Sequence, residues 1–174
     1  PDASGHGNTG TWHGARALAD ALVPGVHGHA LDLDGEGDFL YVAPAAALDL
    51  AGPFTILAWI RAVRTEGRAR AYPIVDKYAF EDDEWTGYAG YLDGGQPYVG
   101  VYAGARTAEE CGGPAGGTFD DGAWHLYAGV FDGAALTVSV DASTVTTCPW
   151  DAPAAPNGDF LEVGTRGGEL FFTG

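Results

Sequence analysis

The sequence has few basic residues, no methionine and no long apolar run, and these shortages argue against a nucleic-acid partner, an unprocessed chain and membrane insertion, respectively. Lys and Arg number 8 against 24 Asp and Glu, so the formal net charge is −16. Such a surface repels nucleic acid and anionic membranes but tolerates calcium, so we expect no nucleic-acid partner. The lack of any apolar stretch of about 18 residues argues against membrane insertion. Because the chain starts at Pro1 and lacks methionine, we expect a piece of a longer or processed precursor.

Cysteine is also scarce. Cys111 and Cys148 lie in neither a CxxC motif nor a histidine-rich metal spacing. In an acidic, glycine-rich chain that we interpret as exported, they predict one disulfide, with two inert buried thiols as the alternative. The bridge would close a loop of roughly 38 residues and contribute about 3–4 kcal/mol in the chain-entropy model.

Short apolar runs between turn residues make up most of the chain. The 28 glycines and 10 prolines punctuate these runs instead of gathering in one tract, so disorder is not expected. Residues 54–63 predict a central strand buried on both faces, with Trp59 in the core and a buried helix as the alternative. Residues 123–131 predict a second such strand with Trp124 in the core. Residues 15–22 are the one candidate for a helical turn, which Pro24 and Gly25 would end.

Turn signals predict how these strands connect. Hairpins are expected for residues 26–33 with 39–42, for 87–92 with 97–103, and for 123–131 with 136–140. Residues 107–121 predict a long loop that Cys111 tethers. Roughly ten short strands with almost no helix indicate an all-β antiparallel β-sandwich or jelly roll.

Several motifs follow one another in a characteristic order. An opening D-x-S-G-x-x-N (from Asp2 to Asn8) precedes G-x-A-L-x-L-D-G-x-x-D (28–38), F-T-I-x-A-W-I (54–60), I-V-x-K (74–77) and G-A-W-H-L-Y-A-G-V-F-D-G (122–133). Together they resemble the laminin G-like, concanavalin A-like jelly-roll domains of secreted bacterial proteins, a group that includes lectins and glucanases. The resemblance spans nearly all of 1–174 as a single domain. It implies two curved sheets packed face to face, often a bound calcium, and a binding or adhesive role at the cell surface or outside the cell.

The sequence departs from that family in two places. The turn after residue 140 reads Asp141-Ala142, where the family usually has Asp-Gly. The family also implies a closing strand after a segment like F-F-T-G, and this sequence ends at Gly174. We therefore expect a jelly roll whose final strand is missing, either because another polypeptide supplies a complementing β-strand after Gly174 or because the end was cut, since an unpaired ladder within a sheet is costly.

Two groups of oxygen-bearing residues are candidates for structural calcium, which binds carboxylates, amide oxygens and free carbonyls. The first group combines residues of the opening loop and of the turn at 34–38, namely Asp2, Asn8, Asp34 and Asp38. The alternative is the acidic run Glu81, Asp82, Asp83 and Glu84. Solvated turn acids are the simpler interpretation of both.

A glycan site is predicted from aromatic residues, because sugar sites combine aromatic faces with a few fixed polar groups. Core or rim packing is the alternative for several of these residues. The predicted ligand-binding residues are Trp85, Tyr88, Tyr98, Tyr102 and Arg61.

Catalysis is not expected. The acidic run at 81–84 lacks the apolar alternation that would project two carboxylates into a glucanase cleft, and neither a nucleophile elbow nor a phosphate-binding glycine loop is present. The sequence predicts a non-catalytic extracellular recognition or adhesion module, supported by calcium, that binds a glycan or a protein. The alternative is an assembly domain completed by a strand from another polypeptide, and a glycosidase relative is a weaker one.

Overall fold

The computed structural model describes residues 2–64, 71–114 and 117–174. The candidate helical turn over 15–22 is reduced to the 3-10 turn Leu18–Ala21, and a second 3-10 turn is Ala46–Leu48. Among the described residues, no helix has the length and apolar character needed to cross a membrane. The strands are β1 (Thr11–His13), β2 (Leu22–Pro24), β3 (His29–Leu31), β4 (Phe39–Val42), β5 (Phe54–Ile60), β6 (Ala71–Asp76), β7 (Ala79–Glu81), β8 (Glu84–Asp93), β9 (Gln96–Ala103), β10 (Ala108–Gly112), β11 (His125–Phe131), β12 (Ala135–Val140), β13 (Ser143–Pro149), β14 (Leu161–Val163), β15 (Thr165–Arg166) and β16 (Leu170–Phe171).

Two antiparallel sheets make up most of this fold. The large sheet has the order β1-β4-β14-β6-β8-β9-β10, with β7 paired to β8, and the small sheet has the order β13-β12-β11-β5. The hairpins β2–β3 and β15–β16 form separate two-stranded sheets. The predicted all-β jelly-roll sandwich is confirmed.

The core lies between the two sheets and follows from strand alternation. Val99 and Val101 of β9 are fully buried, and they belong to one cluster with Tyr127 and Phe131 of β11. A strand that buries one parity presents the other to the opposite face. The even-numbered residues of β9 therefore lie on the outer face of the large sheet, away from this core.

Two predicted hairpins are confirmed. Asp93 pairs with Gln96, so the β8–β9 loop consists of Gly94 and Gly95, with φ of 58° and 79°. Two-residue loops with both φ values positive match the twist of hairpin strands, and glycine adopts this conformation without steric cost. β11 likewise pairs with β12 around the turn at 132–134.

The prediction that residues 54–63 form a central strand buried on both faces is wrong. Among the described residues, β5 lies at the edge of the small sheet. Leu57 is 64% exposed and Trp59 is 42% exposed. Trp124 is half-buried and lies just before β11, so neither tryptophan belongs to the main core. An apolar run predicts a strand, but it does not separate a central strand from an edge strand with exposed apolar side chains.

Two connections also differ from prediction. β3 pairs with β2 and not with β4, so the turn at 34–38 carries the chain from the β2–β3 hairpin to the large sheet, where β4 pairs with β1 and β14. Residues 107–121, predicted as a loop, contain β10 at the edge of the large sheet. Glycines on both sides of Ala108–Gly112 hid this five-residue strand.

Cys111 and Cys148 form the predicted disulfide, with Cα atoms 5.7 Å apart. Cys111 lies on β10 and Cys148 on β13, which are edge strands of the large and small sheets. The bridge therefore ties the two sheets together along one side of the sandwich.

Candidate functional site

Aromatic side chains cover part of the outer face of the large sheet. Alternate residues of β8 and β9 point away from the main core and form a second, smaller cluster. We call this surface the tyrosine face and define it by Tyr78, Trp85, Tyr91, Tyr98 and Tyr102. The register brings Tyr91 opposite Tyr98 and places Tyr102 between Gly87 and Ala108.

The rings of the tyrosine face contact one another and border open space. Tyr91 and Tyr98 stack with ring centroids 5.3 Å apart, and the Tyr78 and Tyr102 centroids are 4.7 Å apart. A depression of about 340 Å³ lies between Tyr78, Trp85 and Tyr102. A second depression of about 360 Å³ starts at Tyr78 and runs towards Phe80 and Leu170. Rings beside an open depression offer apolar area at a fixed position.

A buried ion pair fixes one cation beneath these rings. The Arg166 Nε donates to Asp76 Oδ2 at 2.6 Å, and Asp76 also accepts the Tyr78 backbone N–H at 3.0 Å. The guanidinium carbon lies 5.3 Å from the Tyr78 ring centre and 4.9 Å from that of Tyr91. Burial raises the pKa of Asp76 and Arg166 opposes this. Burial lowers the pKa of Arg166, but the charge and hydrogen bond of Asp76, together with the Tyr102 and Tyr91 hydroxyls, outweigh it and raise that pKa. Because a guanidinium keeps its proton in proteins, the two groups face each other as an ion pair.

A carboxylate supplies the other polar group of the surface. The Tyr102 hydroxyl donates to Glu110 Oε1. Burial raises the pKa of Tyr102 and of Tyr91, and the carboxylate of Glu110 raises both further, so these hydroxyls remain protonated donors. Gly100 makes room for this bond, since a Cβ atom there would lie 2.9 Å from the Tyr102 oxygen. The Tyr102 ring, its hydroxyl donor and the Glu110 acceptor are therefore held at fixed positions.

Not every predicted ligand-binding residue lies on this surface. Trp85, Tyr98 and Tyr102 do. Tyr88 belongs to the main core, is 3% exposed, and donates its hydroxyl to the Leu48 carbonyl at 2.9 Å. Arg61 follows β5 of the small sheet, where its guanidinium lies 5.3 Å from the Trp124 ring centre. The prediction that Tyr88 and Arg61 share one surface with the other three is therefore wrong.

Sequence reasoning missed five members of the site, namely Asp76, Tyr78, Tyr91, Glu110 and Arg166. Parity along β8 was the signal for Tyr91, because it shares parity with Trp85 and Tyr88 does not. Glu110 was hidden in the segment predicted as a loop. Nothing in the sequence pairs Asp76 with Arg166, 90 residues apart.

The first predicted calcium set is spread over separate interactions. Asp2 accepts hydrogen bonds from the backbone N–H groups of Ser4 and Asn8 and from the Ser4 hydroxyl. These bonds, the one from the Ser4 hydroxyl most of all, lower the pKa of Asp2 to about 2. Asp34 Oδ1 accepts three backbone N–H groups of its own turn. Asp38 is fully buried and accepts from Arg16 Nε at 2.6 Å, while its Oδ1 has no partner.

The alternative calcium set, Glu81 to Glu84, forms the tight turn between β7 and β8. Glu81 pairs with Glu84, and Asp82 and Asp83 have φ of 50° and 71°. All four side chains are exposed, and Asp83 forms an ion pair with Arg106. In the described ranges, no group of three or more His, Cys, Asp or Glu is arranged to hold a metal ion. Neither predicted set fits calcium as a single group, so calcium remains a prediction.

A second surface of a different kind lies beside β5. An apolar groove of about 200 Å³ lies between β3 and β5 on one side and β6 and β14 of the large sheet on the other, with Leu31, Trp59 and Phe172 among its lining residues. Leu33 and Gly174 exchange backbone hydrogen bonds of 2.9 and 3.1 Å, and Val63 N–H donates to the Thr173 carbonyl at 2.9 Å. Gly174 lies against the Arg61 carbonyl, so the chain at 173–174 runs antiparallel to residues 63–61.

The two packed antiparallel sheets define a jelly-roll β-sandwich. Residues 34–174 match the model of one family with this fold. By that match, the chain belongs to the concanavalin A-like lectin/glucanases superfamily. No curated protein sequence matches the chain significantly.

Solved structures with this fold include receptor-binding domains of toxins. The binding domain of Paraclostridial Mosquitocidal Protein 1 is similar with a TM-score of 0.75 and 14% identity, over 98% of this chain and 43% of that one. The botulinum neurotoxin serotype D ligand-binding domain in complex with N-acetylneuraminic acid is similar with a TM-score of 0.65 and 10% identity, over 91% of this chain and 38% of that one. The chain thus spans less than half the length of these structures, and identities this low show the fold alone.

Proposed function

We propose that this chain is a non-catalytic extracellular recognition module that binds a glycan on the tyrosine face. The observation that carries the proposal is the combination of Trp85 and Tyr102 beside an open depression with a fixed donor, Arg166, and a fixed acceptor, Glu110. Sugars bind to proteins by stacking on rings and by hydrogen bonds to a few oriented polar groups. The toxin domains with this fold support a binding role, since their names describe binding domains.

A glycosidase is the weaker candidate. Glycoside hydrolysis needs one carboxylic acid and one free carboxylate on opposite sides of the scissile bond. On the tyrosine face, Asp76 is bound to Arg166 and buried, which keeps it from approaching a substrate. Among the described residues, Glu110 is then the one carboxylate that lines the depression beside Trp85 and Tyr102, and a single carboxylate cannot supply both groups. We therefore propose binding without turnover, and release of reducing sugar from a bound glycan would contradict it.

A glycan array tests the proposal. We expect binding by the wild-type chain and a loss of at least tenfold in Trp85→Ala and Tyr102→Phe. Trp59→Ala is the matched control, because Trp59 is an exposed aromatic residue on the other sheet. Melting curves of each variant separate loss of the site from loss of the fold. If the control loses binding as strongly as the site variants, the ligand is not held by the tyrosine face.

Assembly through a β-strand is the second candidate, and the groove beside β5 favours it. An extended segment entering where Thr173 and Gly174 point would run antiparallel to β5, with β3 on its other side. Backbone hydrogen bonds to an exposed edge supply affinity, and apolar pockets such as this groove supply specificity. We propose that this slot accepts an extended apolar segment from another polypeptide.

An array of extended ten-residue peptides tests the second candidate. We expect binding of apolar-alternating peptides, slower amide exchange in β5 on binding, and loss in Ala30→Phe, which fills the groove. Ala47→Phe, at an exposed position of the second 3-10 turn, is the matched control. Unchanged exchange in β5 in the presence of a bound peptide would place the peptide elsewhere.

Calcium support of the fold is proposed on the sequence alone. Calcium should raise the melting temperature of chelator-treated protein in a saturable way, because a ligand that binds only the folded state stabilises it. No step of the glycan proposal depends on this ion.

A further inference from the structure

Carboxylates line both depressions of the tyrosine face. Glu110 lines the first depression. Glu81, Asp159 and Glu169 line the second, which joins the first at Tyr78 and Arg166. Among the described residues that line these depressions, Arg166 is the one cation, so four carboxylates stand against one guanidinium. The formal charge of −16 for the whole chain adds a field of the same sign.

The charge of Arg166 is already used within the protein. Its Nε is bound to the buried carboxylate of Asp76, and its plane lies near the rings of Tyr78 and Tyr91. An incoming anion would therefore meet an ion pair that is neutral overall, with the negative charges of the rim unopposed. Like charges brought together at a binding surface suppress a ligand that carries them.

One donor of Arg166 lacks a partner among the residues that the structure describes. Its Nη2 is buried and has no hydrogen bond to them, while the Arg166 side chain as a whole is 23% exposed and lines both depressions, so a small shift of the side chain brings Nη2 to a ligand there. A buried donor without a partner is costly, and a ligand oxygen that accepts from it removes that cost. A hydroxyl or amide carbonyl oxygen satisfies this donor without adding negative charge, and Glu110 can accept a ligand hydroxyl in return.

We propose that the tyrosine face selects uncharged glycans and rejects glycans that carry carboxylate or sulfate groups. The selection rests on the proposed glycan-binding function and adds the chemical class of its ligand. Ring stacking and the Arg166 Nη2 donor recognise the neutral sugar, and Glu81, Glu110, Asp159 and Glu169 exclude the acidic one.

The test uses matched pairs of glycans on one array, each a sialylated glycan and the same glycan after removal of sialic acid. We expect at least tenfold tighter binding of the neutral member. In about 1 M salt, where charges are screened within about 3 Å, the preference should shrink. Glu110→Gln keeps an acceptor for Tyr102 and removes a charge, so it should narrow the preference severalfold. Asp20→Asn, at an exposed carboxylate that lines neither depression, is the charge-matched control and should not.

The outcomes separate the inference from the function on which it rests. Equal or tighter binding of the sialylated members would overturn the selection and leave glycan binding standing. A preference that is unchanged by salt and by Glu110→Gln would show a steric origin and would overturn the electrostatic argument. Failure of every glycan, neutral or acidic, would remove both.

Discussion

The tyrosine face and the groove beside β5 lie in different places and offer different chemistry. The tyrosine face is the outer surface of the large sheet, whereas the groove opens between the two sheets and is lined by β3, β5, β6 and β14. The tyrosine face is built from side chains, with Arg166 held by Asp76 and Glu110 by Tyr102. The groove offers apolar walls and the edge of β5, which within the described part of the chain pairs only with β11. Side-chain sites discriminate ligands by shape and charge, whereas strand edges bind through backbone groups that every sequence carries. One sandwich can therefore combine a side-chain surface on the outer face of a sheet with a strand edge at the opening between its two sheets.

The two sides of the sandwich are also closed differently, and the largest predicted effect concerns this contrast. The Cys111–Cys148 bridge ties β10 to β13 on the side opposite β5. The double variant Cys111→Ala/Cys148→Ala should lose about 4 kcal/mol of unfolding free energy by the chain-entropy model. Chemical denaturation measures the loss. Amide exchange should accelerate in β10 and β13 more than in β5, and equal acceleration in all three would show that the bridge does not hold one side in particular.

The ion pair under the tyrosine face gives the next largest effect. Arg166→Met leaves the carboxylate of Asp76, which is 2% exposed, without its partner. Removing one member of a buried pair costs about 3–5 kcal/mol, so we expect a loss of about 3 kcal/mol in unfolding free energy, since Arg166 is partly exposed.

The double variant Asp76→Asn/Arg166→Met controls this prediction. It removes the uncompensated charge and should recover most of the loss in chemical denaturation. If both variants are equally destabilised, the packing of Arg166 on Tyr78 and Tyr91 matters more than its charge.

A gain in stability is expected at the turn between β12 and β13 of the small sheet. Asp141 and Ala142 have φ of 52° and 61°. A left-handed conformation costs a residue with a Cβ about 1–2 kcal/mol, and part of this is offset because glycine is more flexible when unfolded. Ala142→Gly should therefore raise the unfolding free energy by about 0.5–1 kcal/mol. Ala134→Gly in the β11–β12 turn, where φ is not positive, is the control and should not raise it.

The sequence predicted the architecture well and the site only in part, for physical reasons. Alternating apolar residues and turn glycines are local signals, so the β8–β9 hairpin and the sandwich could be predicted. Strand order is not local, and for this reason the edge position of β5 and the pairing of β3 with β2 were missed. The prediction of the site was partial for the same reason. Trp85, Tyr98 and Tyr102 lie on one hairpin and could be predicted together, whereas Asp76 and Arg166 are far apart in the sequence and meet only after the sheet has formed.

The smallest effect is a pH dependence carried by the small sheet. His125 Nδ1 lies 2.7 Å from Asp141 Oδ2, and its Nε2 lies 3.2 Å from Asp121 Oδ1. Burial favours neutral histidine, but the two carboxylates outweigh it and raise the pKa of His125. A folded pKa above the unfolded value of about 6.5 means that this stabilisation is complete below pH 6.5 and is lost as pH rises through the folded pKa.

Urea denaturation of the wild type and of His125→Gln at pH 5.5 and pH 8 measures this dependence. The stability difference between the two proteins should be larger at pH 5.5 and small at pH 8, because the carboxylates are ionised at both values and only the imidazole changes charge. His29→Gln, at an exposed histidine of β3, is the control and should show no such change. Because Asp121 and Asp141 are about half exposed, solvent screens the pair and keeps the effect below the other three. If the stability difference between wild type and His125→Gln grows towards pH 8, neutral His125 contributes more than the protonated form. The ion pairs of His125 with Asp121 and Asp141 would then not stabilise the fold.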